Sequence, residues 1–155
     1  MTLIVEDGTG LATAESYATV AQADAYHAAM GNTAWASLAT AAKEVALRLA
    51  SQYMTVLYQW RGNKFNLDQA LAYPRDFAVW PQQPIINACA ELALKSTQGA
   101  LVADEDAASV RSVTVGPIST TFNDVKRSGQ KRYVVADQLL KPYVYSAKAV
   151  RVERA

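Results

Sequence analysis

Few residues of this chain are of a type and spacing that could do chemistry. There is one histidine, His27, with Asp24 three positions before it. No second His, no Cys and no carboxylate cluster stands beside it at metal-ligand spacing. The pair is therefore expected to be a surface hydrogen bond, and neither a catalytic dyad nor a metal site. The single Cys89 excludes an intrachain disulfide and a multi-cysteine metal centre. It sits in an Ala-rich run and reads as a small buried hydrophobe. Asp104, Glu105 and Asp106 are adjacent acids without the alternating spacing of a calcium loop. Lys126, Arg127, Lys131 and Arg132 form the densest cation group, KRSGQKR. They are candidate contacts for DNA or for a partner, although no aromatic is interleaved for base stacking. No Gly-rich phosphate loop, nucleophile elbow or paired acid and base is present. The expectation is a protein that is not an enzyme, with no catalytic residue, no cofactor and no metal.

Bulk properties set the frame for these groups. A chain of 155 residues, 51% hydrophobic and 19% charged, can bury one real core. A formal net charge of +1 lacks the basic excess of a protein that relies on phosphate neutralisation. The N-terminus has no signal-peptide pattern, and no run approaches the ~20 apolar residues of a membrane span. A soluble, cytoplasmic chain with no membrane partner is expected.

The elements follow from local rules. Thr19 and Gln22 form a capping box that opens a first helix through VAQADAYHAAM, and Gly31 suits the left-handed residue after it. Thr40 is read as the cap of a second helix over 41–58. Its apolar stripe is read as Val45, Leu49, Tyr53 and Val56/Leu57, with Ala42, Ala46 and Ala50 beside it and a Glu44–Arg48 pair outside. A third helix is expected over 85–96, after Pro84, with a Glu91–Lys95 pair. A last helix over 133–140 ends before Pro142. Between the second and third helices lies Trp60–Pro84, rich in aromatics and prolines. Asn66 is expected to cap a helical piece over 67–71, and Pro74 to end it. The stretch reads as a plug that turns the chain, and no ligand is expected there.

Beyond residue 110 the period changes to two. Val113 and Val115, then Ile118 and Thr120, alternate across Gly116-Pro117, which predicts a hairpin over 109–123. Leu3, Ile4 and Val5 in the tail 1–16, and Val150 and Val152 in the tail 146–155, read as strand-forming edges. With the hairpin residues they are the expected subunit or partner interface. The fold class is thus mainly α: a small bundle of about four helices with an appended β-hairpin and strand-like termini, in one domain spanning 1–155.

Four pieces in order, IVEDGTGLATAESYATVAQADAYHAAMGN, QALAYPR, SVTVGPISTTF and RYVVADQLLKP…AVRVERA, resemble a family of tailed-phage proteins often labelled DnaT-like single-stranded-DNA-binding. Tyr17, Asp24, Ala25, Tyr26 and His27 match its first-helix signature, and Pro74-Arg75 its junction. The family's likeness to head–tail connector subunits implies a structural virion protein. Such a protein forms a homo-oligomeric, dodecameric ring beneath the portal and meets a neck or tail-completion protein. It surrounds the genomic DNA in the channel and resides in the virion neck after assembly in the host cytoplasm. The alternative that the label implies is a single-stranded-DNA-binding protein acting in phage replication.

Overall fold

A computed structural model of the chain describes residues 2–77, 82–102, 112–115, 118–121 and 132–145. It is mainly helical, as the sequence predicts. Five helices occur among the described residues: α1 (Val20–Ala29), α2 (Thr33–Ala36), α3 (Thr40–Leu57), α4 (Gln83–Gln98) and α5 (Val134–Leu140). The chain divides into two units, one of Met1–Leu101 with Tyr133–Ala155, the other Val102–Arg132. In the second, β1 (Ser112–Val115) and β2 (Ile118–Thr121) pair antiparallel, with Val113 opposite Thr120 and Val115 opposite Ile118. The backbones of those four candidate interface residues are described, and nothing further of the hairpin's surroundings. Lys126, Arg127, Lys131, Val150 and Val152 lie outside the described residues.

The two ends of α1 follow local chemistry. Thr19 Oγ1 accepts from the Gln22 N–H at 3.0 Å and Gln22 Oε1 accepts from the Thr19 N–H at 2.8 Å, completing the capping box. Gly31 takes φ +70 just past α1, a conformation that favours a residue without Cβ. α3 starts one residue earlier than expected, on Ala39, with Thr40 already helical and no side-chain cap. No helix forms over 67–71. The Asn66 side chain accepts from the Asp68 N–H and the Asn66 carbonyl from the Gln69 N–H, so the segment closes as a turn instead.

α4 is the central helix of the first unit, packed by α3, α5 and α1. Its buried face is Ile85, Ile86, Ala88, Cys89, Ala90, Leu92, Ala93 and Leu94. α3 buries Ala46, Leu47, Ala50, Ser51, Tyr53 and Met54, so Tyr53 and the flanking Ala46 and Ala50 of the expected face are core, while the rest of the core face is turned toward Leu47 and Met54. Val45, Leu49 and Val56 are exposed. Small Ala and Ser side chains bring the two helix axes close, and that close approach decides which face is the core. Arg48 is shared: its Nη2 meets Glu15 at 2.9 Å, its Nη1 meets Glu44 at 3.8 Å.

The N-terminal segment is held by its own chain. Val5 forms a parallel bridge with Ser16, and the buried Glu6 carboxylate accepts from the N–H groups of Gly8, Gly10 and Leu11. Leu3 and Val5 are half-buried and Ile4 is exposed.

Urea unfolding checks which face of α3 is the core. Leu47→Ala is expected to lower stability by about 2–5 kcal/mol. Val56→Ser is expected to change it by less than about 0.5 kcal/mol.

Candidate nucleic-acid interface

The segment after α3 sorts its aromatic rings into two sets. Trp60 and Tyr73 turn inward. The Trp60 Nε1–H donates to the Met54 carbonyl at 3.0 Å, and its ring lies 5.5 Å from Tyr73 and 6.1 Å from Tyr17. Tyr17 is fully buried; its hydroxyl meets Thr55 Oγ1 at 3.1 Å and accepts from the Tyr73 N–H. Phe65 and Phe77 turn outward and are 61% and 48% exposed.

A short two-stranded ribbon presents the outward set. Lys64 and Arg75 form an antiparallel bridge. The Phe65 N–H donates to the Pro74 carbonyl, and the Asp76 N–H to the Asn63 carbonyl. Asp76 closes the turn by accepting from the Asn63 N–H and Nδ2, each at 3.1 Å. Opposed residues of a ribbon share a side and neighbours alternate. Lys64 and Arg75 therefore stand side by side, with Phe77 two residues on along the same face and Phe65 on the other. The Phe77 ring rests directly on Gly62, where an added Cβ would meet ring carbon Cδ1 at 2.6 Å. Gly62 also takes φ +71.

The cations are positioned by backbone carbonyls. Arg75 donates to the Ala72 and Gly62 carbonyls through Nε and Nη1. Partial burial lowers its pKa from the usual guanidinium value, against the Tyr17, Asp76 and Tyr145 charges, which raise it. Lys64 Nζ donates to the Gln69 carbonyl at 3.1 Å and keeps two free protons. The exposed Arg61 is tied to the last described residues: its N–H donates to the Tyr143 carbonyl, and the Tyr145 N–H donates to the Gln59 carbonyl. Tyr145 is 55% exposed. The loop is braced from beneath by the N-terminal segment, as Ala70 donates to the Leu11 carbonyl and Asn66 Nδ2 to the Gly10 carbonyl. Exposed phenyl rings beside cations with spare donors can stack bases and hold phosphates.

The stretch Trp60–Pro84, read from the sequence as a plug that turns the chain, carries this ribbon on its outer side. The signal was in the sequence: Arg61, Lys64 and Arg75 are interleaved with Phe65 and Phe77. Of the expected cation group only Arg132 is described, and it is exposed.

The expected surface pair of His27 and Asp24 does not form. His27 is 1% exposed, with Nε2 3.0 Å from the Ala90 carbonyl and Nδ1 3.0 Å from Asn32 Nδ2. Asp24 instead accepts from the Trp35 indole at 2.7 Å and pairs with Lys43 at 2.9 Å. A buried indole N–H requires an acceptor, and Asp24 supplies it. These residues border an open depression of about 370 Å³, in which the side chains of Asp24, His27, Asn32, Trp35 and Lys43 are partnered with one another or with the backbone. Cys89 is fully buried, 3.3 Å from Ser51 Oγ, and burial pushes its thiol pKa up. Among the described residues no group of His, Cys, Asp and Glu is placed to hold a metal ion, and no helix is long and apolar enough to cross a membrane.

One family model matches the chain, over residues 1–155, with the description "Putative DnaT-like ssDNA binding protein". No curated protein and no solved structure matches. The match corrects the expectation of a head–tail connector and its virion-assembly, neck and portal-binding role. The family is described by single-stranded DNA, which is the alternative that the resemblance had carried.

His27 makes stability depend on pH. Burial lowers its pKa from the usual 6.5, outweighing the Ala90 carbonyl, Glu91 and Asp24, which raise it; Lys43 lowers it further. A base with a depressed folded pKa gives stability that is complete above the unfolded value and lost as pH falls through the folded one. The urea midpoint is expected to fall between about pH 7.5 and pH 5.5. In His27→Gln that dependence is expected to flatten.

Proposed function

The chain belongs to the family of DnaT-like single-stranded-DNA-binding proteins, and from that membership we propose that it binds single-stranded DNA through the Asn63–Phe77 ribbon. The observation that carries the reading is Phe77, an exposed ring on Gly62 beside the bridged cations Lys64 and Arg75. Every base has a π-face, so an exposed phenyl stacks on it without regard to sequence, at about 1–3 kcal/mol per base. The phosphates on either side of a stacked base are met by Lys64 Nζ and the Arg75 guanidinium. Phe65 offers a second ring, and Arg61 a further cation on the same loop.

A duplex hides its base faces in the stack, so a surface of this kind prefers a single strand. The formal charge of +1 gives no long-range basic field, and affinity rests on local contacts. With three cations near the strand, the slope of log affinity against log salt is expected near −2, at about 0.7 per phosphate neutralised.

Fluorescence anisotropy with a labelled oligo-dT tests this. Phe77→Ala is expected to weaken binding by roughly 5- to 150-fold, the equivalent of one lost stack. Lys64→Ala is expected to reduce the salt slope by about 0.7. No binding by the unaltered chain at low salt, or binding untouched by Phe77→Ala, Phe65→Ala and Lys64→Ala, overturns the proposal. So does binding lost only when Lys126 and Arg127 are replaced by Ala.

A further inference from the structure

The buried carboxylate of Glu6 closes the loop that lies beneath the ribbon. Glu6 is 3% exposed. Its Oε1 accepts from the N–H groups of Gly8 and Gly10, each at 2.9 Å, and its Oε2 from the Leu11 N–H at 3.1 Å. A carboxylate taken out of water is tolerated when its oxygens are satisfied, and bonds to a charged acceptor are roughly twice as strong as neutral ones. Three backbone donors thus converge on one side chain and hold 7–11 as a tight loop. The start of that loop is fixed to the core. The Glu6 N–H donates to the Ser16 carbonyl at 2.9 Å, and the next residue, Tyr17, donates its N–H to Ser51 Oγ of α3 at 3.1 Å.

The floor of the ribbon is built on the loop. The Gly10 carbonyl accepts from Asn66 Nδ2 at 3.2 Å, and the Leu11 carbonyl from the Ala70 N–H at 3.0 Å. The approach is close: a Cβ on Gly10 would lie 2.8 Å from Asn66 Cβ and 3.2 Å from Gln69 Oε1, and Gly10 takes φ +74. Gln69, itself 3% exposed, passes the position on. Its Oε1 accepts from the Asn66 N–H at 2.9 Å, its Nε2 donates to the Leu71 and Pro74 carbonyls at 2.8 and 3.1 Å, and its carbonyl holds Lys64 Nζ. Asn66 follows Phe65 and Pro74 precedes Arg75, so one carboxamide sets the base of both strands.

We propose that Glu6 is a positioning residue for the DNA-binding ribbon: its carboxylate, through Gly10, Leu11 and Gln69, sets where Lys64, Phe65 and Arg75 stand. Its effect on DNA rests on the reading of the ribbon as the binding surface; its effect on the ribbon does not. A surface already held in place loses less conformational freedom when a strand binds, so a loosened loop moves that cost to the binding step. Glutamine cannot stand in for Glu6. It offers one acceptor oxygen to three N–H groups, and its own NH2 would face a donor where a carboxylate oxygen stood.

Amide hydrogen exchange of the full chain by NMR, without DNA, tests the positioning. The Phe65, Ala70 and Asp76 N–H groups donate to the Pro74, Leu11 and Asn63 carbonyls. In Glu6→Gln they are expected to exchange at least ~10-fold faster. Leu47→Ala weakens the core and is expected to leave those three rates unchanged, because they exchange by local opening. Oligo-dT affinity is expected to fall in Glu6→Gln by roughly 2- to 12-fold for each side chain freed. Asp7→Asn removes the same negative charge on the exposed side of the loop, where Asp7 holds Thr9, and is expected not to weaken binding. Gly10→Ala keeps Glu6, displaces the same floor and is expected to reproduce both effects; it carries the test where Glu6→Gln does not fold. Wild-type exchange at the three amides in both variants overturns the proposal. Equal acceleration in Leu47→Ala, or wild-type affinity in a Glu6→Gln chain whose ribbon amides exchange faster, also overturns it. An unaltered chain that does not bind oligo-dT overturns the DNA reading instead, and the exchange rates still decide whether Glu6 holds the ribbon.

Discussion

The packing of Trp60 between Tyr17 and Tyr73 is the contact on which the rest of the first unit depends. The indole fixes where the chain leaves α3, because its N–H is spent on the Met54 carbonyl in the last turns of that helix. Tyr17 ties the N-terminal segment to the same point through Thr55 and the Tyr73 N–H, and Tyr143 brings the chain after α5 to Tyr73 at 6.0 Å between rings. Segments far apart in sequence are thus closed on one buried aromatic cluster. Each ring buries a large apolar area, and each polar tip has a partner, which is the condition under which Trp and Tyr stabilise a core.

That closure has a functional consequence. Once Trp60 and Tyr73 are drawn in, the chain between them must loop outward, and the ribbon that forms has no further core to bury Phe65 and Phe77. Their exposure is a product of geometry, held by the Asn63–Asp76 turn, the Lys64–Arg75 bridge and the N-terminal brace at Asn66 and Ala70. A rigid base beneath exposed rings lowers the entropy lost when a flexible strand is bound. In a family described by single-stranded DNA, such a surface fits stacking with modest electrostatic help.

How much of this was legible in the sequence depends on whether the governing physics was local. The capping box at Thr19, the turn at Gly31 and the start of α4 beside Pro84 rest on neighbours within a few residues, and they were read correctly. The core face of α3 was read only in part. Tyr53, Ala46 and Ala50 were placed on or beside it, but hydrophobicity also favoured Val45, Leu49 and Val56, which are exposed, over Leu47, Ser51 and Met54, whose burial depends on α4, far along the chain. His27 and Asp24 were paired by spacing, whereas the buried Trp35 indole took Asp24 from a distance that no periodicity encodes. The ribbon was treated as one plug because all its aromatics were given one fate. Arg61, Lys64 and Arg75 among them were the available sign that the outer rings face water.

The outward rings of the ribbon are the central claim, and photocross-linking addresses them most directly. Irradiating the full chain with oligo-dT and mapping the attached peptides by mass spectrometry reports which residues touch bases. The expected adducts are on Phe77 and Phe65, with Tyr145 as a further site. Adducts confined to residues 123–132, or none on the 60–77 segment while the strand is bound, would contradict it.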